Sequence, residues 1–349
     1  MTILYGIPSE GMGHATRATV VIDYLLSLGH DVQIVSSDKV YQLLSSKYPG
    51  RVHQIRGFHF AWKQDQISIS GTIKKNLKEL PQQLQENLAQ SLRMLKRFQF
   101  DLVISDFESF AWAFATFFKI PLWSIDNMQV IARTQLDIPI PVAEKKNFRL
   151  SRQVVRLKVP GAHRYFISSF FFPPIQKSKT VYIPPIIRES LLKTKVKTGN
   201  HVLMYQSSMK KNDLLQVLKQ CPKQTFIIYG LNIEEEYENC QFRKFSEAGF
   251  IHDLTTAKAV MANGGYSFLS EAIYLHKPVY SVPIPNQFEQ FVNASYIDQL
   301  GYGMKADQFE INHVTRFLKQ IPLYRNNLKS YQQDGNQLLY QHLDQYLKK

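Results

Sequence analysis

Ala259-Val260-Met261-Ala262-Asn263-Gly264-Gly265-Tyr266-Ser267-Phe268-Leu269-Ser270-Glu271-Ala272 places two glycines between an apolar run and a segment with helical spacing. The pattern reads as a strand, a turn and a helix that starts near Ser267. Backbone N–H groups at such a helix start are unpaired donors at the positive end of the helix dipole, so they attract phosphate. Glycine in the turn lets a diphosphate approach the main chain closely. Glu271 follows Ser267 by four residues, within reach of the two hydroxyls of a ribose.

Downstream, Pro278-Val279-Tyr280-Ser281-Val282-Pro283-Ile284-Pro285-Asn286-Gln287-Phe288-Glu289-Gln290-Phe291-Val292-Asn293-Ala294 sets acid and amide groups just past another strand. In an open α/β sheet that is where ligands bind, and these groups suit sugar hydroxyls. Alternating strand and helix signals surround the segment: strands at 201–205, 225–229, 259–261 and 279–282, helices at 212–219, 254–257, 267–275 and 288–300, and a strand or turn at Phe250-Ile251. The second half is therefore a nucleotide-fold-like domain.

The first half alternates in the same way. A strand at Met1 to Gly6, a helix at 15–28 and a strand at 30–35 make a βαβ unit, and further strands at 100–104 and 122–125 flank a helix at 110–118. Between them, Leu77, Leu80, Leu84, Leu88, Leu92 and Leu95 recur at three- and four-residue steps, which suits either a helix packed on the sheet or an acceptor-side or membrane-facing element. A Pro-rich and then basic stretch near 174–200 marks a domain boundary. The expected organisation is a first domain at 1–185, a linker at 186–200, a second domain at 201–322 and a helical C-terminal segment at 323–349 that packs back across the interface.

The chain has 349 residues and a formal net charge of +14. Residues 1–198 hold 27 Lys and Arg against 14 Asp and Glu, whereas the remainder holds 15 against 14, so the positive field belongs to one domain. That domain is expected to face something anionic. A membrane surface fits, because Arg149 to Lys158 alternates bases with apolar residues and Arg164 to Phe172 is aromatic; a buried strand at Tyr165 to Phe172 fits equally well. Dispersed Lys and Arg without a recognised module argue against nucleic acid. Two cysteines 19 residues apart suggest neither a disulfide framework nor a zinc site, and with no secretory leader pattern at Met1 the expected compartment is the cytoplasm, on the inner face of the membrane if the protein is peripheral.

Together Gly264-Gly265, Glu271-Ala272, Pro278, Pro283 and Gln287 to Ala294 resemble the donor-sugar signature of GT-B glycosyltransferases of the MurG and UDP-glycosyltransferase-like group. The turn Gly11-Met12-Gly13-His14 is similar to that group's Gly-rich loop after the first strand. The resemblance implies two Rossmann-like domains facing across a cleft, with the nucleotide sugar held by the second and the acceptor by the first. It implies that Glu271 holds the ribose, that Asn263, Gly264, Gly265, Tyr266 and Ser267 surround the diphosphate, and that Glu289 and Gln290 meet the sugar. It further assigns Gln206-Ser207-Ser208 to a second phosphate-side loop and the backbone of Phe250-Ile251 to the base. Asn263 departs from the pattern, since plant and macrolide branches place a histidine there.

Glycosyl transfer needs a base for the acceptor hydroxyl. His14 is placed for it, and the resemblance points to Asp106 as its partner, because strand ends of one parallel sheet gather at one edge. Glu10 and Glu108 compete as the acid, while Gly11, Gly13 and Arg17 complete an acceptor or phosphate side. No Asp-x-Asp triplet occurs, which removes a usual handle for Mg²⁺ or Mn²⁺. The expected protein is an inverting, metal-independent transferase that takes a UDP-sugar and needs no cofactor. A nucleotide-sugar 2-epimerase of the same fold and a non-catalytic nucleotide-sugar-binding partner are the alternatives.

Overall fold

A computed structural model describes residues 1–9, 11–57, 62–63, 66–67 and 69–347, with side chains described for all of these except 62–79. Two compact units divide the chain, Met1–Ile186 with Asn336–Lys349, and Ile187–Gly335.

In the first unit, seven strands lie in the spatial order Val52–Gln54, Asp31–Ser36, Thr2–Gly6, Leu102–Ser105, Leu122–Asp126, Arg164–Ser168 and Thr180–Ile183. Every neighbouring pair is parallel. The apolar runs are continuous because both sheet faces are covered. One face packs Ile3, Tyr5, Ile34 and Ile104 against the helix Met12–Ser27, with Leu339 and Leu343 in the same cluster. The other packs Leu4, Val35 and Val103 against Met94, Phe110 and Phe114. Chain order reverses on either side of Thr2–Gly6, whose Gly6 is in register with Val35 on one side and Ser105 on the other. That reversal opens a crevice at the C-terminal strand ends.

The second unit repeats the plan: Glu235–Tyr237, Cys240–Phe242, Phe226–Tyr229, Val202–Tyr205, Ala259–Ala262, Val279–Ser281 and Gly303–Lys305. Only the edge strand Glu235–Tyr237 runs antiparallel to its neighbour. Its order reverses between Val202–Tyr205 and Ala259–Ala262, where the glycine pair begins.

Several expectations change. The segment from 323 is not one helix: Ile311–Leu328 belongs to the second unit, and Gln337–Leu347 packs in the first, separated by a turn at Gly335 with φ 74°. Phe250 and Ile251 lie within the helix Glu247–Thr256 rather than in a strand or turn, capped by Ser246. Tyr165 to Phe171 is interior, and only Phe172 of that aromatic run is exposed. Glu10 and Leu77 lie outside the described residues or side chains.

The helix Ile69–Leu95 reverses the ordinary amphipathic arrangement. Leu80, Leu84, Leu88 and Leu92 are exposed, Leu84 by 62%, while Gln83, Asn87 and Gln90 are partly buried and Ser91 is buried. Asn87 accounts for this by hydrogen bonding: its Oδ1 accepts from the Arg56 backbone N–H at 2.9 Å and its Nδ2 donates to the Arg56 carbonyl at 3.1 Å. Those two bonds satisfy the backbone just past the edge strand Val52–Gln54, which no further strand covers.

Candidate active site

In the first unit the site is built at the chain-order reversal. Gly6 is the last residue of the first strand, and a Cβ there would meet the Ala111 Cβ at 2.4 Å. Gly11 caps the helix Met12–Ser27 with φ 115°, a left-handed backbone open to glycine. His14 and Arg17 then fall one turn apart on that helix. From the neighbouring strand, Asp106 follows Ser105, and Phe107 takes the left-handed φ of 58° as the chain turns into the helix Ser109–Phe117.

His14 Nδ1 lies 3.0 Å from Asp106 Oδ1. Arg17 Nε donates to Asp106 Oδ2 at 2.8 Å, its Nη2 also reaches Asp106 Oδ1, and its Nη1 donates to Asn127 Oδ1 at 2.8 Å. Asp106 is fully buried and Arg17 nearly so, whereas His14 keeps 18% of its side chain exposed. Burial by itself raises the pKa of the Asp106 carboxyl, but the Arg17 and His14 charges and hydrogen bonds outweigh it and hold it below the ordinary value. The carboxylate is thus ionised and points at the one member of the cluster that meets solvent.

Glu108 has a different task. Its carboxylate caps the helix Ser109–Phe117 by accepting from Ala111 N at 2.7 Å. Two neighbours that sequence reading missed complete the cluster, Asn127 and Asp126. Asp126 accepts from Ser124 Oγ at 2.6 Å and from Gln129 N at 2.9 Å, and burial, reinforced by the Asp106 charge, raises it to about 6. The only sequence signal for either was position, since Asp126 ends the strand Leu122–Asp126 beside the strand that leads to Asp106, and Asn127 follows it.

The second unit assembles the glycine pair. Gly264 has φ 127°, and a Cβ there would meet Gln290 at 2.9 Å. Gly265 faces open space and stands at the N-cap of the helix Tyr266–Tyr274, to which it gives no side-chain cap. Asn263 Nδ2 donates to Ser208 Oγ at 3.1 Å, and Ser208 donates through both N and Oγ to Gln206 Oε1 at 2.9 Å. Gln206, Ser208 and Asn263 therefore form one loop-to-loop network beside Gly264, with Ser207 exposed in the same loop. Asn293, not among the expected site residues, fixes the turn by donating to the Gly264 carbonyl at 3.0 Å.

The remaining expected residues are placed as follows. Gln290 is buried and holds the loop, accepting from Ile284 N at 3.0 Å and donating to Gln287 Oε1 at 2.6 Å. Glu289 stands in the first turn of the helix Phe288–Gln299. Phe250 is buried among Tyr205, Tyr229, Phe245 and Phe268, with its backbone N–H bonded inside its own helix. Glu271 is clamped by Arg188, whose Nε donates to Oε1 at 2.6 Å and whose Nη2 donates to Oε2 at 3.0 Å. Burial pushes the Glu271 carboxyl up against that pull.

Among the described residues no group of three His, Cys, Asp or Glu is arranged to hold a metal ion, and no helix is long and apolar enough to cross a membrane.

Comparison with known proteins places this architecture. An uncharacterized glycosyltransferase of Methanosarcina acetivorans is 22% identical over 325 residues, covering 87% of this chain and 85% of its own length. One from Methanosarcina mazei is 23% identical over 326 residues with the same coverage. Among solved structures, CalG4, the calicheamicin glycosyltransferase, superposes with a TM-score of 0.67 at 14% identity, covering 100% of this chain and 98% of its own. Phytolacca americana UGT2, complexed with UDP-2fluoro-glucose and pterostilbene, gives 0.62 at 12% identity and 99% coverage of both chains. The fold is GT-B, with two Rossmann-like units. The profile of glycosyl transferase family 1 matches residues 1–322, and the chain belongs to that family.

Proposed function

We propose that this glycosyltransferase moves a sugar from a UDP-sugar to an acceptor hydroxyl, with inversion at the anomeric carbon and without a bridging metal. The observation that carries the reading is the His14–Asp106 contact at 3.0 Å, in which a solvent-reaching imidazole is backed by a buried, ionised carboxylate. In the proposed step, the acceptor O–H gives its proton to His14 as its oxygen bonds to the anomeric carbon. The bond from that carbon to the diphosphate oxygen breaks, and the nucleotide diphosphate leaves with the electron pair. Asp106 stabilises the imidazolium that forms.

The uncapped start of the helix Tyr266–Tyr274, the open face of Gly265 and the Gln206–Ser208–Asn263 network support a diphosphate site. Backbone donors there offset the leaving-group charge where the sequence lacks an Asp-x-Asp triplet. An acceptor that is anionic, or presented at an anionic membrane on the cytoplasmic side, belongs to the same proposal. The helix Lys145–Lys158 supports it, with six bases, no acid, and Val154 and Leu157 exposed.

A thermal-shift panel of UDP-, GDP- and dTDP-sugars tests the donor. UDP-sugars should raise Tm most, since ligand at 100 times its Kd adds about 2.7 kcal/mol. No shift with any nucleotide sugar would overturn the reading.

A further inference from the structure

In the first unit a groove of about 960 Å³ lies between the edge strand Val52–Gln54 and the helix Ile69–Leu95. Its walls are polar where a helix normally packs apolar side chains: Gln83, Glu86, Asn87, Gln90 and Arg93 recur along one helical face and line it, with Arg97 in the turn just past the helix. The groove also reaches Ser37 and Gly57, at the same C-terminal sheet edge as the turn that bears His14, and a Cβ on Gly57 would come within 3.7 Å of Ser9 Oγ.

Its charges are unbalanced. Arg56, Arg93, Lys96 and Arg97 stand against Asp38 and Glu86. Glu86 is already engaged, since it accepts from Arg56 Nε at 2.5 Å and from Gln82 Nε2 at 2.9 Å. The guanidiniums of Arg93 and Arg97, four residues apart, make no hydrogen bond or ion pair with any described residue. The helix dipole favours cations at this end, yet it does not explain why the polar face is turned inward onto a hollow while four leucines face water.

We propose that this groove binds the phosphate of a phosphate-bearing acceptor, held by Arg93 and Arg97 with Arg56 at its rim. A phosphomonoester carries nearly two negative charges and three acceptor oxygens, which matches two forked guanidiniums that have no anion among the described residues. This deepens the transferase reading and rests on it: the groove would hold the acceptor's phosphate while its hydroxyl reaches His14.

The test measures binding of glucose 6-phosphate by calorimetry, and of phosphatidylcholine vesicles with and without phosphatidylglycerol by co-sedimentation, for the full chain and for Arg93→Gln/Arg97→Gln. Arg93→Lys/Arg97→Lys and Arg316→Gln/Lys319→Gln, the latter two exposed bases of the helix Ile311–Leu328, serve as controls, and each variant's UDP-induced Tm shift is recorded. Expected is a loss of at least tenfold in the glutamine pair at 93 and 97, partial rescue in the lysine pair and little change in the Arg316/Lys319 pair. The probe that responds tells a soluble phosphate from a lipid headgroup. No binding of either probe by the unmodified chain, or an equal loss in the Arg316/Lys319 pair, overturns the groove. An absent UDP shift in every protein would instead sink the transferase reading alone.

Discussion

Nη2 of Arg17 lies 2.7 Å from Nδ1 of His14, the nitrogen that also faces Asp106. The two neighbours make opposite demands: a guanidinium only donates and calls for a bare Nδ1, whereas a carboxylate calls for Nδ1–H. With the proton on Nδ1 the far nitrogen Nε2 is left bare and able to accept an acceptor hydroxyl's proton. On the proposed reading, the ionised Asp106 selects that tautomer.

His14→Ala should therefore lower kcat about 10²–10⁴-fold with little change in the Tm rise that a UDP-sugar gives. Turnover unchanged by the substitution would remove His14 from the reaction.

Asp106→Asn should lower kcat by a similar factor, through the tautomer, and should also cost stability. Arg17 is 4% exposed, and a buried charge that loses its partner costs about 3–5 kcal/mol. Urea denaturation checks the second effect independently of the first.

Asp126 gives a pH dependence of definite sign. The native carboxyl holds its proton to about pH 6, whereas in the unfolded chain it releases it near pH 4. The native state binds more protons in this window, so this group's contribution to stability is complete below pH 4 and falls as pH rises through 6. Two units correspond to about 2–3 kcal/mol. Asp126→Asn should flatten the stability profile between pH 4 and 6 and leave the protein more stable at pH 7; a profile as steep as before would refute the assignment.

Gly264 and Gly265 should respond differently to alanine. At Gly264 the new methyl meets Gln290 at 2.9 Å on a backbone of positive φ, and the variant should lose about 2–3 kcal/mol. At Gly265 there is open space and φ −64°, so stability should change by less than about 0.5 kcal/mol while the methyl blocks a diphosphate and abolishes the UDP-dependent Tm shift. An intact shift in Gly265→Ala would move the diphosphate elsewhere.

Arg188→Met should strand a buried carboxylate and cost about 3–5 kcal/mol, and Arg188→Met/Glu271→Met should recover much of it. The double variant should still lose nucleotide affinity if Glu271 meets the ribose. Chemical denaturation and UDP titration of the three proteins separate the two roles.

Much of this was legible because it depends on local pattern. The apolar run at 259–262, the glycine pair and the helical spacing after Ser267 specify strand, turn and helix with no help from elsewhere. His14 and Asp106, 92 residues apart, were paired by a resemblance and the rule that parallel strand ends share an edge. What pattern could not give was the partner of a charge. Arg188 stood in a presumed linker, and nothing in its neighbours points 83 residues ahead to Glu271. The leucine spacing of Ile69–Leu95 correctly signalled a helix but not which way it faced, since Asn87 and its bonds to Arg56 decide that.

The return of Gln337–Leu347 to the first unit has a consequence for biosynthesis. Leu339 and Leu343 are fully enclosed in the core around Ile3, Tyr5 and Ile104, so that core cannot close until Leu343 has left the ribosome. At roughly 5–20 residues per second, the segment from 187 to 347 takes about 8–30 s to make. During that interval the second unit, whose residues 187–335 are contiguous, is free to finish folding first. The first unit, although begun first, is completed only after the second unit has been made.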